Sequence, residues 1–429
     1  MKKSLLAVAA IGAFASAAQA QSSVTVYGIL DVGYVGGTAR VSDSSKGNTA
    51  GYNAGVSKQT VSGFAGNGAQ QTSRLGFKGT EDLGSGSSAF FTAEFELYPQ
   101  DQYLSGNQSA TNSGGLLNRQ TFVGLKKNGI GQAAAGLQYT PVFNAAAATD
   151  VGQFNNVTGN VVYVSSRGIA SAGAGTNGLG FTNRTANTLS FKTDKFAGFS
   201  ASGIYTLNNK NSTETLSSTA TSGGSLNASG WGLAVDYSYN KFYITGAYQA
   251  LKQLTSANGD NTTLWTNAQP AGATAAAVAV QTSSVVNATA QNVQDNQGYV
   301  GATYDFGILK AYAQYVTRKA TSTINSGYYM KRSAEQIGVR SYITPTVEAW
   351  ASAGLGRYTT FGDASQPTVN FNGWQLGSNY YLSKRTNLYA IYGQTVTSTG
   401  TIPAATSGGM TNTVSSSQNQ YAVGVRHTF

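Results

Sequence analysis

Apolar and polar residues alternate along nearly the whole chain with the period of two that is typical of β-strands, not the helical period of 3.6. In the first such segment Val24, Val26 and Leu30 share one face, and Thr25 and Asp31 share the other. The same alternation recurs in residues 91–97, 231–237, 309–315, 387–393 and 421–429. We therefore predict an all-β fold.

The connections between these segments alternate between short and long. The short ones lie near residues 82–87, 128–131, 194–197, 240, 305–307, 343–345 and 383–385. The long ones span roughly residues 36–71, 99–117, 140–182, 207–229, 251–297, 318–333, 358–368 and 397–417. Seven short turns and eight long loops join sixteen antiparallel strands, and this alternation is typical of outer-membrane β-barrels with short periplasmic turns and long extracellular loops. All six prolines fall in connections, as expected when every strand is paired on both sides.

The composition excludes several classes of protein. Only 10% of the 429 residues are charged and 41% are hydrophobic, which fits neither a disordered chain nor a bundle of membrane helices. The chain has no Cys and one His, so it can form no disulfide framework and no zinc cluster. We expect no cofactor and no metal.

The first twenty residues have the pattern of a secretory signal peptide. Lys2 and Lys3 precede an apolar run from Leu5 that ends in the A-x-A cleavage site at Ala18 to Ala20. Cleavage there leaves residues 21–429 as one barrel domain, and removing two of the 27 basic residues leaves 25 against 17 acidic ones, a net charge of +8. An exported protein rarely meets nucleic acid, so we expect no nucleic-acid partner.

A closed barrel in lipid makes a prediction about charge. Arg or Lys facing lipid at mid-membrane costs about 2–4 kcal/mol, so charges within strands should share the less apolar face. Eleven do so by parity: Asp31, Arg74, Lys78, Glu94, Glu96, Lys192, Asp236, Lys310, Arg340, Glu348 and Arg426. Arg119 has the parity of its apolar neighbours, so it must lie above the hydrocarbon or be re-aimed by a β-bulge.

A soluble β-sandwich would show the same alternation. Its polar faces are normally rich in Lys and Glu, whereas here both faces are poor in charge. Aromatic residues also collect beside the short turns, as at Tyr237 with Tyr239 and at Tyr304 with Phe306. Such belts are typical of a membrane interface, which favours the barrel.

Enzymatic motifs are weak. His427 has apolar parity three residues from the end of the last strand, and no G-x-S-x-G elbow is present. Residues 173–178 match the dinucleotide fingerprint G-x-G-x-x-G, but they lie in a Gly-rich loop with no helical pattern after them. Glu94 and Glu96 share one strand face, where we expect them to line the lumen. We predict that the protein is not an enzyme.

Six motifs carry a resemblance to the Gram-negative general porins that extends over essentially the whole mature chain. They are residues 23–28 (SVTVYG), 73–84 (SRLGFKGTEDLG), 118–125 (NRQTFVGL), 138–141 (QYTP), 381–386 (YLSKRT) and 423–429 (VGVRHTF). The resemblance implies a sixteen-stranded barrel, a homotrimer, and a third long loop that folds into the lumen. It also implies that the terminal Phe429 serves as a signal to the outer-membrane assembly machinery.

The resemblance also implies a pore constriction in which arginines on the wall face acids on the inward loop. Matching motif positions are Arg74, Arg119 and Arg184, with Lys78 as a further cation, although arginines can also simply solvate a wet lumen. The loop departs from the acidic Pro-Glu-Phe-like apex of the family, because Asp150 is its only carboxylate. Three uncompensated charges at ~8 Å would favour a small anion by about 1.5 kcal/mol, roughly tenfold.

We therefore expect a trimeric outer-membrane channel for passive diffusion of small hydrophilic solutes, with a modest anion preference. The alternative within the same architecture is a channel with a binding site for phosphate or small organic acids. A barrel enzyme and an exported adhesive sandwich are the competing classes, and an absence of ion conductance would favour them. The loop 251–297, with its apolar run from Ala271 to Val280, carries no firmer prediction.

Overall fold

The computed structural model describes residues 23–43, 56–100, 116–162, 184–211, 225–255, 293–322, 326, 329–361, 368–402 and 412–429. Among them are seventeen strands in one antiparallel sheet. These are β1 (Ser23–Asp43), β2 (Val56–Phe64), β3 (Arg74–Gly84), β4 (Ser87–Glu96), β5 (Leu117–Lys127), β6 (Gly131–Tyr139), β7 (Arg184–Thr193), β8 (Phe199–Asn211), β9 (Ser225–Tyr239), β10 (Phe242–Thr255), β11 (Val293–Asp305), β12 (Lys310–Ser322), β13 (Tyr329–Tyr342), β14 (Val347–Phe361), β15 (Thr368–Tyr381), β16 (Thr386–Ile402) and β17 (Asn412–Thr428). One helix, α1 (Pro141–Thr149), follows β6.

The sheet closes on itself because β1 pairs with β17 along most of its length. The other edge of β1 pairs with β3 over residues 23–29 and with β2 over residues 34–42. The strands β2 and β3 therefore occupy one position in the barrel, as two halves of an interrupted strand. The seventeen segments make a closed sixteen-stranded antiparallel barrel, which confirms the predicted fold class.

All seven short turns lie where the sequence places them, between β3 and β4, β5 and β6, β7 and β8, β9 and β10, β11 and β12, β13 and β14, and β15 and β16. One of the two tightest connects Tyr239 to Phe242 through only two residues, of which Asn240 has a φ of 51°. Asn tolerates this left-handed conformation, which a two-residue hairpin turn of the favoured type requires.

The barrel is apolar outside and polar inside. Val24 and Val123 expose 64% and 62% of their surface, whereas the fully buried side chains include Gln249, Gln297 and Gln375. A soluble sandwich would reverse this distribution, because its buried interior is formed by apolar side chains. The burial pattern therefore excludes the sandwich.

The eleven charges assigned to the less apolar face lie on the inward face, with buried examples at Asp31, Glu94 and Glu348. The outer face does carry charge farther from the short turns, at Lys331, Glu335 and Arg357. The prediction that all charges within strands share the less apolar face did not anticipate these residues. These strands run well beyond the length that crosses hydrocarbon, about 9–11 residues, so their upper parts can carry charge.

Several predicted loops are shorter in the structure because the strands extend into them. Residues 36–43 and 56–64 of the predicted 36–71 loop are strands, since their Ser, Thr and Gly are paired despite a weak apolar pattern. The loop 251–297 is strand up to Thr255 and from Val293 onward. Its apolar run, the signal peptide 1–20 and the fingerprint match 173–178 lie outside the described residues.

The end of the chain closes the barrel at its short-turn rim. Gly28 and Phe429 exchange two backbone hydrogen bonds, each 3.1 Å from nitrogen to oxygen. The phenyl ring of Phe429 covers Gly28 where a larger residue would place its Cβ atom. Within the described part of the chain, the only helix is too short to cross a membrane.

Candidate functional site: the narrowing of the lumen

The predicted third loop enters the lumen through α1. Thr140 begins the helix by accepting a hydrogen bond at Oγ1 from the Phe143 nitrogen at 3.2 Å, and Pro141 occupies the first turn, where its missing N–H costs nothing. Val142, Ala145 and Ala146 are buried in one apolar cluster with inward residues of β9 to β15. The helix is thereby packed against the inner wall.

Residues 150–162 continue along the wall as an irregular segment that we call the inward loop. Glutamine side chains on the wall accept hydrogen bonds from its backbone N–H groups. Val161 N donates to Gln336 Oε1 at 3.1 Å, and Thr158 N donates to Gln420 Oε1 at 2.9 Å. Gln375 donates to the Val157 carbonyl oxygen at 2.7 Å. Buried backbone groups need such partners, so the wall glutamines hold the inward loop in place.

Glycines on the wall let the inward loop lie close to the strands. A Cβ atom on Gly393 would collide with the Thr158 carbonyl oxygen, and one on Gly373 with the Gly159 carbonyl oxygen. Both glycines occupy inward positions on β16 and β15. Only a residue without a side chain permits this approach of two backbones.

A second segment also projects into the lumen, at the interruption between β2 and β3. On β1 only four residues, Leu30 to Gly33, separate the two paired stretches, whereas nine residues, 65–73, connect β2 to β3. Four residues would continue the strand, so the five additional residues leave the wall. We call residues 65–73 the strand-break segment; the sequence did not predict that it turns inward.

Asp31 on β1 holds the strand-break segment. Its Oδ2 accepts hydrogen bonds from the backbone nitrogens of Gln70 at 2.9 Å and Gln71 at 2.6 Å. Its Oδ1 accepts a hydrogen bond from Tyr389 Oη at 2.5 Å. The Asn156 backbone nitrogen of the inward loop donates to the Ala69 carbonyl oxygen at 2.9 Å. The strand-break segment and the inward loop therefore contact each other within the lumen.

Arg119 reaches the inward face through a β-bulge. The pairing of β4 with β5 shifts between Glu94 and Phe95, so that Arg119 is left without a partner in the register. Its guanidinium turns inward, and the residue as a whole is 6% exposed. Of the two positions that parity allowed for Arg119, the structure has the one in which a bulge re-aims it.

The three predicted arginines come together on β3, β5 and β7, with two carboxylates among them. Arg119 Nε lies 2.8 Å from Glu94 Oε1, and its Nη1 lies 3.6 Å from Glu96 Oε2. Arg74 lies opposite Glu96 in the register of β3 and β4. We give the name arginine cluster to the set of Arg74, Glu94, Glu96, Arg119 and Arg184.

Tyr139, the last residue of β6, contacts two arginines of this cluster. Arg119 Nη2 donates to Tyr139 Oη at 2.9 Å, and the Arg184 guanidinium carbon lies 5.2 Å from the centre of the Tyr139 ring. Lys78 is nearby but separate, with its ammonium 5.4 Å from the Tyr27 ring, and Tyr27 Oη donates to Glu94 at 3.2 Å. Lys78 is exposed, consistent with a wet lumen.

Asp150 is not part of the arginine cluster. It is 3% exposed at the end of α1, where Oδ2 accepts the Phe154 nitrogen at 2.8 Å and Oδ1 accepts Asn160 Nδ2 at 2.7 Å. Burial raises the pKa of the Asp150 carboxyl, and Arg340 across the wall partly opposes this. The carboxylate shapes the inward loop, and the cluster has Glu94 and Glu96 as its acids instead.

Sequence reasoning placed Glu94 and Glu96 on the lumen wall but did not pair them with arginines. The turn at residues 85–86 alone would not have given the pair, because Arg74 comes opposite Glu96 only after the register of β3 and β4 shifts between Asp82 and Gly84. Tyr139 could not be found either, since a tyrosine at a strand end usually marks the membrane interface.

The other polar candidates show simpler surroundings. His427 Nδ1 lies 2.9 Å from Thr386 Oγ1 in an exposed pair near the short-turn rim. Across the residues that the structure describes, no three or more His, Cys, Asp or Glu side chains form a group that could hold a metal ion.

A closed barrel with an apolar outside, a polar inside and a lumen narrowed by an inward loop has the architecture of proteins that span the outer membrane. The chain belongs to the Gram-negative porin family, whose sequence model matches residues 7–400. It is thus a protein of the Gram-negative outer membrane and of a family of channels, not of enzymes.

Individual relatives match over part of their length. Outer membrane porin protein 32 of Delftia acidovorans is 34% identical over 219 residues, 51% of this chain and 53% of its own. An outer membrane porin protein of Bordetella pertussis is 40% identical over 138 residues, 32% of this chain and 34% of its own. The chain spans about a third to a half of the length of these curated relatives.

Two solved structures share the fold of this chain. The anion-selective porin from Comamonas acidovorans has a TM-score of 0.59 at 21% identity, over 95% of this chain and 100% of that one. In-vitro folded OmpT of Vibrio cholerae has a TM-score of 0.55 at 13% identity, over 95% of this chain and 98% of that one.

Proposed function

We propose that the protein forms a water-filled channel through which small hydrophilic solutes and ions diffuse passively, with a modest preference for anions. The observation that carries this proposal is the arginine cluster beside the inward loop. Selectivity in channels arises from charged and polar groups that partly replace a solute's hydration. Here Arg74, Arg119 and Arg184 supply three positive charges at one level of the wall.

The strength of the preference follows from the charge balance of the cluster. Three arginines against Glu94 and Glu96 leave one net positive charge, because Asp150 is buried elsewhere. One unit charge at ~8 Å in water is worth about 0.5 kcal/mol, roughly a twofold preference for a small anion. The tenfold preference expected from three uncompensated arginines is therefore reduced. Lys78 would add to the net charge without an ion pair among the described residues.

We further propose that the channel is a homotrimer and that Phe429 is its signal to the outer-membrane assembly machinery. The family resemblance supports both. The position of Phe429 against Gly28 also places the last residue at the seam where β1 meets β17, so assembly and barrel closure would meet at one point.

A second candidate function is a channel with a binding site for phosphate or small organic acids. Arg184 supports it, because its guanidinium lies on the Tyr139 ring with no ion pair to a described carboxylate. Planar guanidinium groups bind carboxylate and phosphate in a bidentate manner. Conductance that saturates with one solute would distinguish this channel from a general one.

The proposed anion preference is tested by planar-bilayer reversal potentials in a KCl gradient. Arg184→Gln should lower the chloride-to-potassium permeability ratio about twofold, since it removes one unit charge. Arg357→Gln is the matched control, because Arg357 is exposed on the outer face and pairs with Asn370. An unchanged ratio in Arg184→Gln, or an equal change in both variants, would contradict the assignment.

A further inference from the structure

Three cations lie close together on the outer face of the barrel, at outward positions of β12, β13 and β14. Lys319 and Lys331 are directly opposite each other in the register of β12 and β13. Arg357 is opposite Ser333, so it is the diagonal neighbour of Lys331 across β13 and β14. Opposite residues have Cα atoms about 5 Å apart, and diagonal neighbours are about 7–8 Å apart. We call Lys319, Lys331 and Arg357 the outer basic patch.

The two lysines surround one aromatic ring. Lys319 Nζ lies 4.2 Å from the centre of the Tyr329 ring, and Lys331 Nζ lies 5.5 Å from it. Contact with the face of an aromatic ring stabilises an ammonium group. Two like charges directly opposite each other nevertheless destabilise a sheet. An anion that binds between the two ammonium groups removes this repulsion.

Arg357 can also bind an anion. Its Nε donates to Asn370 Oδ1 at 3.2 Å, and its two Nη atoms make no hydrogen bond to the residues that the structure describes. Glu335 is the one acid on the described outward positions of β12, β13 and β14, and it forms no ion pair with the outer basic patch. Three positive charges against one negative charge leave the patch positive.

The outer basic patch lies where the apolar part of the outer face ends. Counted from the short turns, Lys319 is the tenth residue of β12, Lys331 the twelfth of β13 and Arg357 the eleventh of β14. A strand crosses the hydrocarbon of a membrane in about 9–11 residues, so these cations lie at the level of the lipid headgroups on the long-loop side. Nearer to the short turns, Ile337 and Leu355 are exposed on the same outer face, where acyl chains lie.

We propose that the outer basic patch binds the phosphate groups of a membrane lipid whose acyl chains lie on Ile337 and Leu355. Clusters of Lys and Arg at a membrane surface attract anionic lipids. The guanidinium of Arg357 adds a bidentate partner for phosphate. Three cations against one acid favour a headgroup with more than one phosphate group. The proposal concerns the lipid-facing surface and does not depend on the selectivity of the lumen.

Lipid A provides the probe, because its diphosphorylated and monophosphorylated forms carry the same acyl chains and differ by one phosphate group. Native mass spectrometry of the folded protein in detergent micelles gives the affinity for each form. We expect the unaltered chain to bind the diphosphorylated form about fivefold more tightly. In Lys319→Gln/Lys331→Gln the affinity for that form should fall about 25-fold. The single variant Lys331→Gln, with an expected loss of about fivefold, takes its place if the double variant does not fold.

The matched control is Lys241→Gln/Lys384→Gln. These two lysines are exposed in short turns at the opposite rim, so the control removes the same charge from a different place. The affinity should stay nearly unchanged, because charges separated by more than a Debye length are screened. Equal affinities of the unaltered chain for the two forms of lipid A, or equal losses in the two double variants, would overturn the proposal.

Inorganic phosphate separates a lipid site from a site for free phosphate. Added at the same concentration as diphosphorylated lipid A, it should not displace the lipid, because it has no acyl chains that bind the apolar surface. Displacement at equal concentration would mean that the outer basic patch binds phosphate alone, which contradicts the proposed lipid site.

Discussion

Arg119 Nε lies 2.8 Å from Glu94 Oε1, although Arg119 belongs by sequence parity to the lipid-facing side of β5. The bulge opposite Glu94 and Phe95 resolves this conflict by turning the guanidinium into the lumen. A charge-assisted hydrogen bond then fixes it against the neighbouring strand. The charge of the arginine cluster is consequently controlled by its two glutamates as much as by its arginines.

Glu94→Gln should therefore raise the anion preference. The glutamine Oε1 can still accept from Arg119, so the geometry is kept while one negative charge is lost. The chloride-to-potassium permeability ratio from bilayer reversal potentials should rise about twofold. A ratio that stays the same or falls would show that Glu94 does not act on permeating ions.

Asp150→Asn should leave that ratio nearly unchanged. Asp150 is buried within the inward loop, and its two oxygens accept hydrogen bonds from Phe154 N and Asn160 Nδ2, so its carboxylate is turned into the loop and not toward permeating ions. Comparing Asp150→Asn with Glu94→Gln in the same KCl gradient separates the two acids. If Asp150→Asn raised the anion preference as strongly as Glu94→Gln, Asp150 would be the acid of the constriction after all.

Gly393→Ala should destabilise the barrel and disturb the inward loop. Its Cβ would meet the Thr158 carbonyl oxygen, and overpacking of this kind costs about 1–3 kcal/mol. We expect a lower thermal unfolding temperature and an altered single-channel conductance. Gly246→Ala is the control, because no atom lies within 4 Å of the added Cβ at this lipid-facing glycine. Equal effects of the two substitutions would refute the close approach.

Removing residues 67–71 should enlarge the lumen. The deletion leaves four residues between β2 and β3, the number that separates their pairing partners on β1. The deletion is combined with Asp31→Asn in one variant, because it removes the backbone N–H groups of Gln70 and Gln71 that donate hydrogen bonds to Asp31. Single-channel conductance should increase relative to Asp31→Asn alone. A conductance that does not change would mean that the strand-break segment does not limit the pore.

The sequence predicted the barrel and most of its wall because strand period and turn length are local properties. Leu388 and Ala390 face lipid, as alternation required, and the short turns lie where the sequence placed them, between successive alternating segments. The three arginines of the cluster were found through family motifs. The inward direction of Arg119 depends on the bulge in β5, for which the sequence has no clear local signal.

Contacts between distant segments could not be read in the same way. The inward turn of residues 65–73 depends on the difference in length between two neighbouring barrel strands, which becomes visible only when their register is known. The burial of Asp150 depends on Asn160 and on the wall across the lumen. The sequence does not show that an acid in a polar loop will accept a hydrogen bond from a backbone N–H group of the same loop, although Asp commonly does so in turns.

The central claim, a lumen whose narrowing carries net positive charge, is tested most directly by the zero-current potential of the unaltered protein across a KCl gradient. The measurement should be made at ~0.01 M and again near 1 M, where the Debye length falls from about 30 Å to about 3 Å. We predict anion selectivity of about twofold at low salt that fades at high salt. Cation selectivity at low salt would contradict the account.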